Sequence, residues 1–241
     1  MAPTVLLLHG FTHTGSSWEP VVAALGERYR AIAPDLRGHG TASEAVPVSL
    51  EAVLGDLEPS IGSGEVSLVG YSMGGRIALH AALAWSDRVS RLILIGASPG
   101  IAEPDEREAR RAADERLAEA IESSSIEAFA RRWARTPVLA GPPEEVRARA
   151  HADRLRTTPP GLARALRGLG TGVLPPLWDR LGELAMPVTL IVGERDGKFR
   201  ALGEEMRASI PSCELVVVPR AGHAVHLEAP ARIAQAIRTP P

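Results

Sequence analysis

The sequence predicts an α/β protein in which helices cover both faces of a six-stranded parallel sheet. Short runs rich in Val, Leu and Ile alternate with helix-compatible segments along the chain. Continuous apolar runs of this kind are typical of parallel strands that are buried on both faces. The length of 241 residues suits one large domain with a small insertion. Right-handed crossovers between such strands favour a doubly wound sheet with its site at the carboxyl ends of the strands.

Six apolar runs supply the expected strands, at 4–9, 29–33, 66–69, 91–95, 187–192 and 214–218. Helices are expected between them, at 18–26, at 50–61, directly after residue 72, at about 199–209 and at about 229–238. Only eight residues precede His9, so no antiparallel strand pair is expected before the first strand. The 29–33 strand is therefore expected at an edge of the sheet.

Residues 98–182 interrupt the alternation of strands and helices. This segment is charged, rich in arginine and helical in pattern, and several prolines punctuate it without any strand-like run. We expect a helical cap that is inserted after the fourth strand and lies over the site. The chain would then consist of a first core part at 1–97, the cap at 98–182 and a second core part at 183–241.

The composition is that of an ordinary soluble globular protein, with 45% hydrophobic and 23% charged residues. The net charge of −2 gives no reason to expect nucleic acid or an anionic membrane as a partner. Cys213 is the only cysteine, so no internal disulfide can form and a reducing, cytoplasmic location is expected. The first residues resemble a strand more than a signal peptide, and no apolar run is long enough to span a membrane. Monomer and homodimer both remain open.

A G-x-S-x-G motif, Gly70-Tyr71-Ser72-Met73-Gly74, follows the third expected strand and precedes a helix. Strand, sharp turn and helix form the setting that a nucleophile elbow requires. The two glycines allow the serine a strained backbone conformation and let the helix approach the strand closely. Ser72 is therefore expected at a helix N-terminus, where free N–H groups favour negative charge.

The partners that a reactive serine needs follow it in the order typical of this elbow, first an acid and then a histidine. Asp196 comes directly after the fifth expected strand, and His223 follows the sixth. We expect His223 to exchange a proton with Ser72 and Asp196 to orient the imidazole and stabilise its charged form. Glu194 is the alternative acid.

An oxyanion hole is expected from two backbone N–H groups, those of Phe11 after the first strand and Met73 after the serine. His9 and His39 belong to loops around the site and are interpreted as structural hydrogen-bonding residues. No cluster of ligands competes with the serine, acid and histidine pattern, so no metal or other cofactor is expected.

Arginines are placed where they could face the site. Arg76 lies four residues after Ser72, on the same face of the elbow helix. Because an unpaired buried charge is costly, Arg76 needs either a carboxylate of the cap or a substrate carboxylate, and spacing alone does not choose. A further set in the cap has helical spacing, which by itself favours a solvated, salt-bridged face: Arg107, Arg110, Arg111 and Asp114.

Several motifs together resemble one family within the α/β-hydrolase fold, the 2-succinyl-6-hydroxy-2,4-cyclohexadiene-1-carboxylate (SHCHC) synthases of menaquinone biosynthesis. The resemblance runs from residue 8 to the C-terminal helix and includes the cap. The residues that carry it are Gly70–Arg76, Arg107-x-x-Arg110, Phe129-x-x-x-Trp133 with Pro137-Val138, Gly193-Glu194-Arg195-Asp196-x-Lys198-Phe199 and Gly222-His223-x-x-His226-x-Glu228-x-Pro230. The fold implied is an α/β-hydrolase sheet without its usual first two strands.

This resemblance implies a lyase that removes a ring proton and expels pyruvate without hydrolysis. Ser72, activated by His223 and Asp196, would be the base, and the Phe11 and Met73 amides would hold the developing enolate oxygen. The family's substrate carries three carboxylates, which gives an arginine-rich pocket its reason. The implied substrate-binding residues are Arg76, Arg110, Arg156, Tyr71 and Trp133, with Arg154 as the alternative to Arg156.

Two other functions fit parts of the pattern. A serine esterase or carbon–carbon bond hydrolase would use Ser72, Asp196 and His223 but would not need Arg76 or Arg110. A non-catalytic ligand receptor could keep the fold alone. The complete set of serine, acid and histidine disfavours the receptor.

Overall fold

The sheet at the centre of the protein is parallel throughout. The computed structural model describes residues 2–61, 65–139 and 141–239. Within them the strands are β1 (Thr4–Leu8), β2 (Arg30–Ile32), β3 (Val66–Tyr71), β4 (Val89–Ile95), β5 (Val188–Gly193) and β6 (Cys213–Val218). They form one six-stranded sheet in the order β2-β1-β3-β4-β5-β6, and every neighbouring pair is parallel. The expected fold class is confirmed, and β2 lies at the edge as expected.

Helices pack against both faces of this sheet, and further helices lie in the chain between β4 and β5. The α-helices among the described residues are α1 (Glu19–Leu25), α2 (Leu50–Ile61), α3 (Met73–Ala84), α4 (Pro104–Glu122), α5 (Ile126–Trp133), α6 (Glu144–Arg154), α7 (Pro159–Leu169), α8 (Gly197–Ser209), α9 (Val225–Glu228) and α10 (Pro230–Arg238). Short 3-10 helices lie at Gly15–Trp18, Gly40–Ala42, Pro137–Leu139 and Trp178–Glu183. Among the described helices, none combines the length and apolar composition that crossing a membrane would require.

Alternation of side chains along the strands divides the core into two layers. In β1, Leu6 and Leu8 are buried with residues of α2, α3 and α8, whereas Val5 and Leu7 are buried with residues of α1 and α10. Successive side chains of a strand point to opposite faces, so a fully apolar strand needs a helical layer on each side. This is the physical reason why continuous apolar runs identified the strands.

The helices α4–α7 form the region between β4 and β5. Their apolar side chains make a small core of their own, built from Ala118, Ile121, Phe129, Leu162, Ala163 and Leu166. Pro104 and Pro159 stand in the first turns of α4 and α7, where a missing N–H costs nothing. Helical structure replaces strands here as expected. The limits of the cap at 98 and 182 stay a prediction, and the helix Trp178–Glu183 crosses the second limit.

Two helix boundaries differ from the expectation for local reasons. The expected C-terminal helix is found as α10, and a further short helix, α9, precedes it. The two are separate because Pro230 has no N–H to donate and holds Ala229 out of the helical region, at φ −142° and ψ 56°. Helix α8 begins at Gly197, two residues earlier than expected, because the carboxylate of Asp196 accepts a hydrogen bond from the Phe199 N–H at 3.4 Å and caps it.

Candidate active site

The turn between β3 and α3 holds Ser72 in a strained conformation. Its backbone has φ 52° and ψ −109°, and a non-glycine residue at such a positive φ costs about 1–3 kcal/mol. A Cβ at Gly70 would lie 2.4 Å from the Gly74 carbonyl oxygen, and one at Gly74 would lie 2.2 Å from the Leu8 carbonyl oxygen. Both glycines are therefore required for α3 to start against the sheet. The Ser72 N–H is held by the Ile95 carbonyl at 2.9 Å.

The three side chains expected to act together lie within hydrogen-bond distance of one another. His223 Nε2 is 3.2 Å from Ser72 Oγ, and His223 Nδ1 is 2.6 Å from Asp196 Oδ2. The Asp196 and His223 side chains are each 5% exposed. Because the carboxylate can only accept, Nδ1 carries the proton and Nε2 is left to accept from the serine. This geometry permits proton transfer between serine and imidazole; the catalytic roles remain a prediction.

Residues around His223 hold its loop in place. Glu228 accepts from the Gly222 N–H at 3.0 Å and from Arg195 Nη2 at 3.0 Å. The ring of Phe199 lies 4.5 Å from the imidazole between centroids. Glu194, the alternative acid, instead accepts from the Arg220 N–H at 2.8 Å. The carboxylate beside His223 is thus Asp196.

The two backbone N–H groups expected to form an oxyanion hole are available to donate hydrogen bonds to an anion. Within the described chain, neither the Phe11 nor the Met73 N–H is bonded to a protein acceptor. Met73 is the first residue of α3, where helix N–H groups have no partner within the helix. Phe11 lies in the loop after β1, with Trp133 of α5 packed edge-on at 5.4 Å.

His9 and His39 pack next to this loop and make hydrogen bonds of the structural kind that is expected for them from the sequence. His9 Nδ1 donates to the Gly10 carbonyl at 2.9 Å, and its Nε2 accepts from the Leu36 N–H at 2.9 Å. The two rings pack at 5.0 Å. Burial lowers the pKa of His9 to about 4 and that of His39 to about 3. Both histidines are therefore neutral near pH 7.

Arg76 is a half-buried cation with few protein partners. Its Nη2 donates to the Leu169 carbonyl at 3.4 Å, and its Nε is buried without a partner among the described residues. Burial and the neighbouring Arg110 lower the pKa of Arg76 to about 10. Arg110 Nε donates to Asp114 Oδ1 at 2.8 Å, while Asp114 Oδ2 is likewise buried and unpartnered. Arg110 stays exposed and salt-bridged as expected, although it lines the same cavity as Arg76, whereas Asp114 is buried beneath it.

A cavity of about 390 Å³ lies between α3, α4 and α8. Its lining includes three cationic side chains, those of Arg76, Arg110 and Lys198, and also Phe199, which contacts His223. The lining also includes three carboxylates, those of Glu103, Glu106 and Glu205, so the cavity carries mixed charge next to the ring that packs on His223. Arg111, by contrast, is exposed and pairs with Glu108 at 3.1 Å.

The third candidate arginine is not placed as spacing suggested. Arg156 is exposed and its Nη1 donates to the Ser16 hydroxyl at 2.7 Å, away from the cavity of Arg76. Arg154 is 4% exposed, and its Nε donates to the Thr12 hydroxyl at 3.3 Å, next to Phe11. This placement favours Arg154, the alternative left open by the sequence, over the preferred Arg156; which arginine binds substrate stays a prediction.

The aromatic candidates border the same region. Tyr71 is buried, with its ring 5.3 Å from that of His223, and burial raises the pKa of its hydroxyl. Trp133 stacks on Phe129 at 5.6 Å and meets Phe11. No set of three metal-ligating side chains occurs within residues 2–61, 65–139 and 141–239.

Sequence reasoning missed one contact beside the site. Asp153 of α6 is buried and hydrogen-bonded to His13 and Thr14, in the loop that also contains Phe11. His13 has no pattern in the sequence, and 140 residues separate it from Asp153. Only the fold brings such distant polar residues together.

The parallel sheet, the strained elbow and the hydrogen-bonded serine, histidine and aspartate define a protein of the alpha/beta hydrolase class. The profile of the alpha/beta hydrolase family matches residues 5–236, and the chain belongs to that family. A Bacillus subtilis (strain 168) protein with the provisional name SHCHC synthase is 37% identical over 235 residues, 94% of this chain and 85% of that protein. The SHCHC synthase of Salmonella enteritidis PT4 is 34% identical over 98% of this chain and 92% of its own. Within the hydrolase class, the chain therefore belongs to the SHCHC synthase family.

Solved structures share this fold, and they include both a MenH protein and an esterase. MenH from S. aureus superimposes with a TM-score of 0.92 at 30% identity, covering 98% of this chain and 92% of that chain. A thermophilic esterase from Thermogutta terrifontis, with malate bound, has a TM-score of 0.82 at 30% identity, covering 98% and 88%.

Proposed function

We propose that this protein eliminates pyruvate from 2-succinyl-5-enolpyruvyl-6-hydroxy-3-cyclohexene-1-carboxylate to form SHCHC in menaquinone biosynthesis. Membership of the SHCHC synthase family supports the reaction. The observation that carries the proposal for this chain is Arg76. It lies one turn after Ser72 on α3, and its Nε is buried without a partner among the described residues, in a cavity that Arg110 and Lys198 also line. A simple esterase has no need for an unpartnered guanidinium one helical turn from its serine.

Ser72 is the proposed base. Its Oγ gives its proton to His223 Nε2 and takes the ring proton that the succinyl ketone makes acidic. The electrons of that C–H bond first form the enolate of the succinyl ketone. When the enolate collapses, they form the double bond at ring position 2, the ring double bond moves from position 3 to position 4, and the C–O bond at position 5 to the enolpyruvyl group breaks. His223 returns a proton to the departing group, which leaves as pyruvate. Asp196 stabilises the imidazolium while it exists.

The Phe11 and Met73 N–H groups are proposed to bind the ketone oxygen as it becomes an enolate. Donors held in place beforehand stabilise developing charge without reorganising, and removal of one such donor costs about 2.7–4 kcal/mol in related sites. Both amides lack a protein acceptor in the described chain.

The substrate carboxylates are proposed to bind to Arg76, Arg110 and Arg154, with Lys198 as a further cation of the cavity. Tyr71 and Trp133 would line the same pocket. Guanidinium groups bind carboxylates through two parallel hydrogen bonds, which fixes orientation as well as affinity. Asp114 would then hold Arg110 in position for its carboxylate.

We also propose that residues 98–182 act as the cap of this site and that the protein works in the cytoplasm, as a monomer or homodimer, without nucleic acid. The separate apolar core of α4–α7 supports the cap. The single cysteine and the biosynthetic role of the relatives support the location.

The proposal is tested by measuring pyruvate release with lactate dehydrogenase and NADH. Ser72→Ala and His223→Ala are expected to lower kcat by about 10²–10⁴, the usual share of a positioned base. Ser123→Ala, at an exposed serine of the cap, should keep wild-type activity. Full activity of Ser72→Ala would refute the mechanism.

An esterase is the second candidate, favoured by the similarity to the Thermogutta esterase. It would form an acyl-enzyme on Ser72 and would release nitrophenol rapidly from nitrophenyl esters. Rapid ester turnover that Arg76→Met and Arg110→Met leave unchanged, without pyruvate release by the wild type, would favour it over the lyase.

A further inference from the structure

One carboxylate of α6, that of Asp153, is hydrogen-bonded to the loop after β1. Its Oδ2 accepts from His13 Nδ1 at 2.9 Å and from the Thr14 N–H at 3.0 Å, and its Oδ1 accepts from the Thr14 hydroxyl at 2.5 Å. Burial would raise the pKa of this carboxyl, but the donors of His13 and Thr14 outweigh it and hold the pKa below its ordinary value. A buried carboxylate with three donors is firmly held, since losing one donor leaves desolvated charge uncompensated.

The next residue of the helix contacts the same loop. Arg154 Nε donates to Thr12 Oγ1 at 3.3 Å. Thr12 has φ 70°, a left-handed conformation that is rare for a β-branched residue. Strained residues of this kind persist where their surroundings over-determine them. Two successive cap residues thus hold loop residues 12–14 from one side.

The loop held in this way contains Phe11, directly before Thr12. Its N–H is the donor proposed for the enolate oxygen. Such donors act at about 2.7–3.1 Å from the developing charge, and a displacement of about 1 Å can cost 10²-fold in rate. The exact path of residues 11–14 therefore matters to the reaction, although Asp153 is not expected to contact the substrate.

We propose that Asp153 is a positioning residue. Through His13 and Thr14 it fixes the conformation of the loop that carries the Phe11 amide, so the oxyanion hole is complete only when α6 is packed against that loop. The same contact keeps Arg154 facing the site. This inference rests on the proposed function for its kinetic test. A second test, of the loop itself, needs no substrate.

Asp153→Asn tests the kinetic part. The amide keeps the shape but places an NH2 group against donors, so at least one hydrogen bond is lost. We expect kcat for pyruvate release to fall at least tenfold and to change more than KM, because the loop acts on the transition state. Arg154→Met should mainly raise KM. Glu145→Gln, at an exposed carboxylate on the same helix, is the matched control and should behave as the wild type.

Thr14 supplies the conservative variant. Thr14→Val removes the hydroxyl donor and should lower kcat, whereas Thr14→Ser retains it and should restore the wild-type value. Thr14→Val also removes the hydrogen bond that the hydroxyl accepts from the Ser16 N–H. Combined with Asp153→Asn it should therefore cost less than the sum of the two single changes, because both disrupt the contact between Thr14 and Asp153. If Asp153→Asn does not fold, the Thr14 pair decides the question by the same kcat comparison.

Amide hydrogen exchange tests the loop directly. Peptides that cover residues 9–17 should exchange faster in Asp153→Asn than in the wild type, while peptides from β4 and β5 stay unchanged. If the wild type releases pyruvate and Asp153→Asn changes neither kcat nor the exchange of residues 9–17, the positioning role is wrong. A wild type that releases no pyruvate would overturn the proposed function, and the exchange result would then decide on Asp153 alone.

Discussion

Arg76 occupies a position that costs stability, and its removal tests the proposed site directly. A guanidinium with a buried, unpartnered Nε and one carbonyl contact at 3.4 Å is poorly compensated. Arg110 lies near enough to lower its pKa, and Asp114 is the acidic group that opposes this effect. Groups kept at a cost to stability are expected where ligands bind.

Arg76→Met is expected to lower kcat/KM for pyruvate release about 10- to 100-fold, since a hydrogen bond to a charged group contributes about 1.5–3 kcal/mol. The thermal midpoint should stay the same or rise, because the variant removes an uncompensated charge. Arg111→Met, at an exposed neighbour of Arg110, should leave both quantities unchanged. Kinetics and calorimetry on the three proteins would show this; a large fall in midpoint with unchanged kcat/KM would contradict it.

At the scale of elements, the junction of β3 and α3 is the least tolerant part of the chain. The helix starts so close to β1 that a methyl group at Gly74 would overlap two carbonyl oxygens, those of Leu8 and His9. Backbone atoms on both sides leave no flexible neighbour to move. The strained φ of Ser72 depends on this close packing.

Gly74→Ala is expected to lower both the free energy of unfolding and kcat, because α3 must shift and Ser72 must move with it. The matched control is Gly55→Ala in the exposed face of α2, where an added Cβ meets nothing within 4 Å. That change should stabilise the protein by about 0.5–1 kcal/mol. Urea denaturation and pyruvate assays of both variants provide the check. A Gly74→Ala protein with wild-type kcat would show that the elbow relaxes.

For the whole molecule, the buried histidines make stability depend on pH. His9, His13, His39 and His226 are all buried, and burial lowers the pKa of each. Below the pKa of the unfolded chain, these residues bind protons in the unfolded state and not in the folded one. Stability is therefore fully present above that pKa and decreases as the pH falls.

Between about pH 6.5 and pH 5, His9 and His39 together should reduce the free energy of unfolding by about 3 kcal/mol, because the slope of each rises from about 0.7 to about 1.4 kcal/mol per pH unit as the unfolded histidines become protonated. Urea denaturation at several pH values measures this slope. His151→Gln, at a partly exposed histidine of α6, should keep the full slope, and His39→Gln should reduce it. A free energy that is constant from pH 7 to pH 5 would contradict the neutral, buried state of these residues.

The fold class, the six parallel strands with the second at an edge, and the placement of Ser72, Asp196 and His223 at one edge of the sheet could all be predicted from the sequence. These depend on local patterns: apolar runs buried on both sides, a turn that needs two glycines, and residues that follow successive parallel strands. The sequence also identified the family, because the motifs extend into the cap.

The polar contacts between α6 and the loop after β1 could be found only in the folded structure. Spacing could not separate Arg154 from Arg156. Arg154 is the last residue of α6 and Arg156 lies beyond it, so helical periodicity does not fix which of the two faces the core. The contacts of Asp153 with His13 and Thr14 join residues about 140 positions apart, and no local pattern encodes such a contact. Which side chain faces the site depends on how α6 packs on the loop after β1, and that packing exists only in the folded chain.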